Sequence, residues 1–100
     1  MICTLTARRL KPGAYEEFRA AWDPAHADDA ALRGWTRIYH CRDMAEPDVV
    51  LSFGLFDGTV DELREAQARL GRNAQVDRIG PHVDQVLLDG SFEVVEQLEP

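Results

Sequence analysis

The chain has 100 residues, 45% hydrophobic and 29% charged, the make-up of one folded domain spanning residues 1–100. Lys and Arg number 11 against 18 Asp and Glu, and the net charge of −7 disfavours nucleic acid and anionic membrane surfaces as partners. No apolar run approaches the roughly 20 residues that span a bilayer, and Met1-Ile2-Cys3-Thr4-Leu5 lacks the features of an export signal. The expected compartment is cytoplasmic, with Cys3 and Cys41 as reduced thiols that form neither a disulfide nor a zinc site.

Residues 2–9 alternate Cys3, Leu5 and Ala7 with Thr4, Thr6 and Arg8, a period of two that predicts a strand with two different faces. Pro12-Gly13 ends it. From Ala14 the period changes: Tyr15, Phe18 and Trp22 fall on one helical stripe, with Glu16, Glu17 and Arg19 facing away. Asp23-Pro24 breaks or restarts that helix, with Asp23 as a candidate N-cap, and a short Ala-rich piece runs to a C-terminal glycine, Gly34.

Trp35 to Arg42, rich in aromatic and β-branched residues, predicts a second strand, and Asp43–Asp48 is a polar connection of hairpin length. Val49 to Phe56 is the third strand, apolar enough for burial on both faces. Thr59 and Glu62 have capping-box spacing, and Leu63, Ala66, Gln67 and Leu70 carry a second helix to Gly71. Val76 and Ile79 add another helical turn or two before Gly80-Pro81. Val83, Val86 and Leu87 then predict a short helix, Asp89-Gly90 a turn, and Phe92 to Leu98 the last strand.

The order β-α-β-β-α-β predicts an α+β, ferredoxin-like domain: a four-stranded antiparallel sheet with helices on one face. Cys3, Leu5, Leu51, Phe53 and Val95 are candidates for the other face. Such a face is a larger apolar patch than a monomer usually leaves wet, so a homodimer packed sheet to sheet is expected.

Two histidines are candidate general bases, because imidazole exchanges protons near neutral pH. His40 shares a strand face with Thr36 and Ile38, and His82 follows the Pro81 turn. Each has a plainer alternative, on an edge strand in water or on the surface after a turn. His26 reads as solvated. The cluster Arg8, Arg9 and Lys11 reads as a solvated strand end, although Arg8 can also turn inward to hold a carboxylate or phenolate. Ser52 and Gly54 share the face of Phe56, and small residues there leave volume for a small apolar or aromatic molecule, with Trp22 and Phe56 as walls. The remaining aromatics read as core. No set of donors is spaced for a metal, no glycine-rich phosphate loop occurs, no cofactor is implied, and no local nucleophile signature is visible.

Several segments together resemble the antibiotic-biosynthesis-monooxygenase (ABM) type of dimeric α/β barrel. They are Leu10-Lys11-Pro12-Gly13 before a helix with Phe18 and Trp22, Gly34-Trp35 opening the second strand, Phe56-Asp57-Gly58-Thr59, and Gly90-Ser91-Phe92-Glu93-Val94-Val95. The likeness covers nearly the whole chain. It implies a dimer whose two sheets form a barrel, with a pocket between sheet and helices in each protomer. Activities in this group include cofactor-independent oxygenation of phenols, haem degradation and quinol oxidation. The haem-degrading pattern of Asn, Trp and His meets Arg8, Phe56 and His82 here, so only the His is kept and haem degradation is disfavoured. The Trp of the phenol-oxygenating pattern is likewise replaced by Phe56.

The resemblance implies a cofactor-independent monooxygenase acting on an aromatic or quinol-like metabolite. His40 or His82 would be the base, Arg8 the anion holder, and Trp22, Ser52 and Phe56 the cavity wall. A non-catalytic dimeric module for ligand binding or interaction remains the alternative, and an isomerase or cyclase on the same scaffold is a third reading.

Overall fold

The computed structural model describes residues 1–22 and 32–100. Strand β1 spans Ile2–Leu10, helix α1 Tyr15–Trp22, β2 Trp35–Arg42, β3 Val49–Phe56, α2 Val60–Arg69 and α3 Arg72–Ile79. A 3₁₀ turn, Gly80–His82, leads into β4, Val83–Glu93. The four strands form one antiparallel sheet in the order β2-β3-β1-β4. This is the expected ferredoxin-like α+β arrangement, and α3 realises the extra helical turns. The proposed break at Asp23-Pro24 and the Ala-rich piece with His26 lie outside the described residues. Among the described residues no helix is long and apolar enough to cross a membrane.

The helices start and stop where local chemistry directs. The Thr59 hydroxyl accepts from the Glu62 backbone N–H at 3.2 Å, while Glu62 Oε1 accepts from the Thr59 N–H at 3.0 Å, a complete capping box. Gly71, at φ +69°, ends α2 and turns the chain into α3 through left-handed backbone that other residues rarely adopt. The two helices that flank the site are tied directly: Gln75 Nε2 donates to the Trp22 carbonyl at 2.8 Å, and Arg78 Nε to that of Ala21 at 3.0 Å.

One sheet face is buried beneath the helices. Thr6, Arg8 and Leu10 on β1 are buried in alternation, as are Val50, Ser52, Gly54 and Phe56 on β3. The register pairs Arg8 with Val50 and Thr6 with Ser52, so both sets share that face. Two apolar clusters occupy its ends. Leu10, Phe18, Val50 and Ile79 form one; Phe56, Leu63 and Ala66 form the other. Between them the strand residues are Thr4, Thr6, Ser52 and Gly54, too small to fill the layer.

β4 departs from the sequence reading. Val83–Leu87 is strand and not helix, Asp89-Gly90 is not a turn, and the strand ends at Glu93, well before Leu98. Register shifts explain the error. Leu10, Arg8 and Thr6 stand opposite Val83, Val86 and Asp89, so irregularities on β4 stretch a spacing of two into a spacing of three. A helical period is thereby imitated by an irregular strand. Asp89 remains in the ladder because its carboxylate accepts from Thr6 Oγ1 at 3.1 Å and meets Arg72 Nη2 at 3.3 Å. Beyond Glu93 the chain has little left to pair with, since β1 begins at Ile2; Val94 donates its N–H to the Met1 carbonyl.

The other face carries Leu5, Leu51 and Phe53, as expected, all only half-buried. Val95 does not belong to it, lying past the strand and 87% exposed. Leu88 and Phe92 of β4 take that place, paired with Ala7 and Cys3. β3 is thus fully buried on its helix face only. Cys3 and Cys41 are free thiols.

Candidate functional site

The gap between the two apolar clusters is a cavity of about 280 Å³, close to the lower end of ordinary small-molecule pockets, which start at about 300 Å³. Its floor is Thr4, Thr6, Ser52 and Gly54. Trp35 lies over Gly54 so closely that a Cβ there would meet the indole at 2.6 Å, so glycine makes room for the ring. Trp22 and Arg19 come from α1, and Gln67, Arg72 and Gln75 from the helices α2 and α3.

His40 enters from β2 opposite Ser52 in the register. Its Nδ1 lies 3.0 Å from Ser52 Oγ, and its ring meets Trp22 edge-on with centroids 3.8 Å apart. The Ser52 hydroxyl and the Trp22 indole are among the groups that hold the imidazole at the cavity wall.

Arg8 is only 7% exposed, so it is no solvated strand end. Its guanidinium lies 5.8 Å from the Phe18 ring centroid, and its Nη1 has no hydrogen-bond partner among the described residues. Burial pushes its pKa below the ordinary arginine value; the charge of Asp89 opposes this and that of Arg72 reinforces it. Two further buried donors lack partners there: Arg19 Nη1 and Trp35 Nε1. All three side chains line the cavity. An unpartnered buried donor costs about 1–3 kcal/mol.

No family model matches the sequence, and no curated protein matches it significantly. Solved structures do match, over nearly the full length of both chains. A Deinococcus radiodurans protein provisionally named as an antibiotic biosynthesis monooxygenase superposes with a TM-score of 0.77 at 14% identity, covering 100% of this chain and 98% of that one. A Caulobacter crescentus protein of the same provisional name gives 0.77 at 19% identity, over 95% and 90%. A mutant of SnoaB, a cofactor-independent oxygenase from Streptomyces nogalater, gives 0.75 at 16%, over 99% and 97%. The chain has the ABM fold.

Within this ABM fold the sequence-predicted residues divide. Arg8, Trp22, His40 and Ser52 converge on the one cavity. Phe56 and His82 lie outside its lining. Phe56 is 2% exposed in the second core cluster and stacks edge-on with Trp35 at 5.1 Å. His82 is half-buried in the 3₁₀ turn, where its carbonyl accepts from the Lys11 N–H.

Arg19 and Trp35 also line the cavity, although the helical period of α1 faces Arg19 outward and the sequence alone places Trp35 in the core. Arg19 follows Phe18 on α1, and the helical stripe gives no sign that a cavity wide enough to receive it lies alongside. Trp35 carries a legible signal in Gly54, the small residue that yields space to its ring.

Proposed function

We propose that the protein is a homodimeric, cofactor-independent monooxygenase of an aromatic or quinol-like metabolite, working in the cytoplasm. The observation that supports this reading best is the meeting of His40, held by Ser52 and Trp22 among other groups, with the buried Arg8 side chain, whose Nη1 lacks a partner among the described residues, at one largely apolar cavity. The match to SnoaB adds a precedent on the same fold.

His40, oriented by its hydrogen bond with Ser52, is the base that takes a proton from an activated ring carbon or phenol. Arg8 holds the resulting anion. The carbanion gives one electron to dioxygen, the two radicals join as a hydroperoxide, and loss of water leaves a carbonyl. A CH2 group thus becomes C=O while O2 supplies one oxygen to the product and one to water. The substrate is the reductant, so the balance needs no further electron source.

The dimer in this reading rests on the half-covered apolar sheet face, with Leu5, Leu51 and Phe53 at its centre and Leu88 and Phe92 toward one edge. Oxygen uptake with a panel of quinols and anthrones is the test. Turnover that falls at least tenfold in His40→Ala, with folding intact by circular dichroism, supports it. No uptake with any member of the panel would favour a dimeric binding module, which the cavity's donors suit equally.

A further inference from the structure

The first residues of β2 break the alternation of the strand. His40 and Ile38 stand opposite Ser52 and Gly54, so even spacing would set Thr36 opposite Phe56 and turn Trp35 to the open face. Instead Arg37 pairs with Leu55 and Trp35 with Phe56, which leaves Thr36 as an extra residue. The Thr36 hydroxyl donates to the Leu55 carbonyl at 3.1 Å and ties the irregularity down. Such a bulge re-aims a side chain, and here it brings the indole onto the helix face.

Once there, the ring is wedged. It meets Phe56 edge-on with centroids 5.1 Å apart, and Phe56 is itself confined, because a Cβ at Gly34 or Gly58 would run into its ring. The six-membered edge of the indole leans over Gly54, where a Cβ would lie 2.6 Å from Cζ3 and 2.9 Å from Cε3. Trp35 packs against the cluster of Phe56, Leu63 and Ala66 and also lines the cavity, whereas none of those three does. The indole is therefore the partition between that core cluster and the cavity. Phe56, Gly54 and Ser52 are successive rows of the floor, each roughly 7 Å from the next. The indole covers the Gly54 row, and His40 stands at the Ser52 row.

We propose that Trp35 sets the length of ligand the cavity accepts, a role that deepens the proposed function and rests on its placing the ligand in this cavity. A planar guest lying against His40 ends at the indole edge. One more fused ring in that direction has to displace a side chain backed by buried Phe56. Overpacking a filled interior is costly enough to change affinity about tenfold or more.

Fluorescence titration under nitrogen with 2-naphthol and its linear three-ring homologue 2-anthrol tests this without turnover. The parent is expected to bind 2-naphthol about tenfold or more tighter than 2-anthrol. Trp35→Leu shifts that preference toward 2-anthrol by about tenfold, through tighter binding of the longer probe. Trp35→Phe keeps an aromatic edge against Phe56 and shifts it the same way by less, which serves if the leucine variant does not fold. Leu63→Ala loosens the same core cluster at a residue outside the cavity lining and leaves the preference as in the parent. Equal binding of the two probes by the parent, no binding of either, a preference unmoved in every Trp35 variant that folds, or an equal shift in Leu63→Ala would overturn the proposal. If the preference shifts as expected and no substrate consumes oxygen, the oxygenase reading fails and the role of Trp35 stands. Oxygen uptake with an unmoved preference does the reverse.

Discussion

At the residue scale the decisive side chain is Arg8. Its place on the helix face follows from alternation with Cys3, Leu5 and Ala7, so its direction was legible from the sequence. Its burial was not, because that depends on Phe18 and on the β4 strand that β1 pairs with. A buried, unpartnered cation is retained at the expense of stability. Arg8→Met keeps the length and loses the charge, and is expected to raise the unfolding free energy by about 1–3 kcal/mol in urea titration. Asp89 keeps its contacts to Thr6 and Arg72 in that variant, so no new orphan carboxylate offsets the gain. Lower stability in Arg8→Met would mean that the guanidinium is held by attraction to Asp89 more than it is penalised by burial. Arg19 illustrates the reverse limit: its role depends on space beside a helix, and space has no periodicity to read.

At the element scale, β1, β2, β3 and α2 were legible because each carries one uninterrupted period with chemical stops at its ends. β4 was not legible because register irregularities change its period and because Asp89 and Gly90, ordinary turn formers, are held in extended backbone by partners distant in sequence. Asp89 meets Thr6 and Arg72, and Gly90 stands opposite Leu5, where a side chain would approach the Phe92 ring at 3.0 Å. The α2 cap gives a clean test of local chemistry. Thr59→Ala is expected to cost about 1 kcal/mol, read by thermal or urea unfolding. The same box sets a pH dependence. Backbone and side-chain hydrogen bonds from Thr59 hold the Glu62 carboxyl below its ordinary value, so its stabilising contribution is complete above the unfolded pKa and fades as pH falls through the lower, folded value. Glu62→Gln keeps an acceptor for the Thr59 N–H and removes the titration. Its unfolding free energy should therefore fall less steeply below about pH 4.3 than that of the parent.

At the scale of the whole molecule, the sheet has one face covered by helices, with a cavity between them, and an opposite face left open. Leu5 and Leu51 lie on the two central strands, and Tyr39, Leu88 and Phe92 are each more than 40% exposed on the flanking ones. The total accessible surface is 6814 Å², against roughly 5,700 Å² for a compact monomer of this mass, part of the excess coming from the extended residues after Glu93. A second copy laid on that face would remove apolar area from water without touching the cavity floor. Sedimentation equilibrium should then give twice the 11.3 kDa chain mass. Each protomer carries −7, so the two copies repel at long range while their sheets attract at contact. Raising salt from about 0.01 M to about 0.15 M shortens the screening length from about 30 Å to about 8 Å and should tighten the dimer. An interface held by ion pairs would loosen instead. Leu5→Lys, at the centre of the face, places a like charge opposite its own symmetry mate or close to it and should give monomers that remain folded, because the helix-side core is intact. A parent that sediments as a monomer at both salt concentrations would leave the open face without an occupant and remove the dimer from the proposed function, while the cavity and its donors, all drawn from one chain, would stand unchanged.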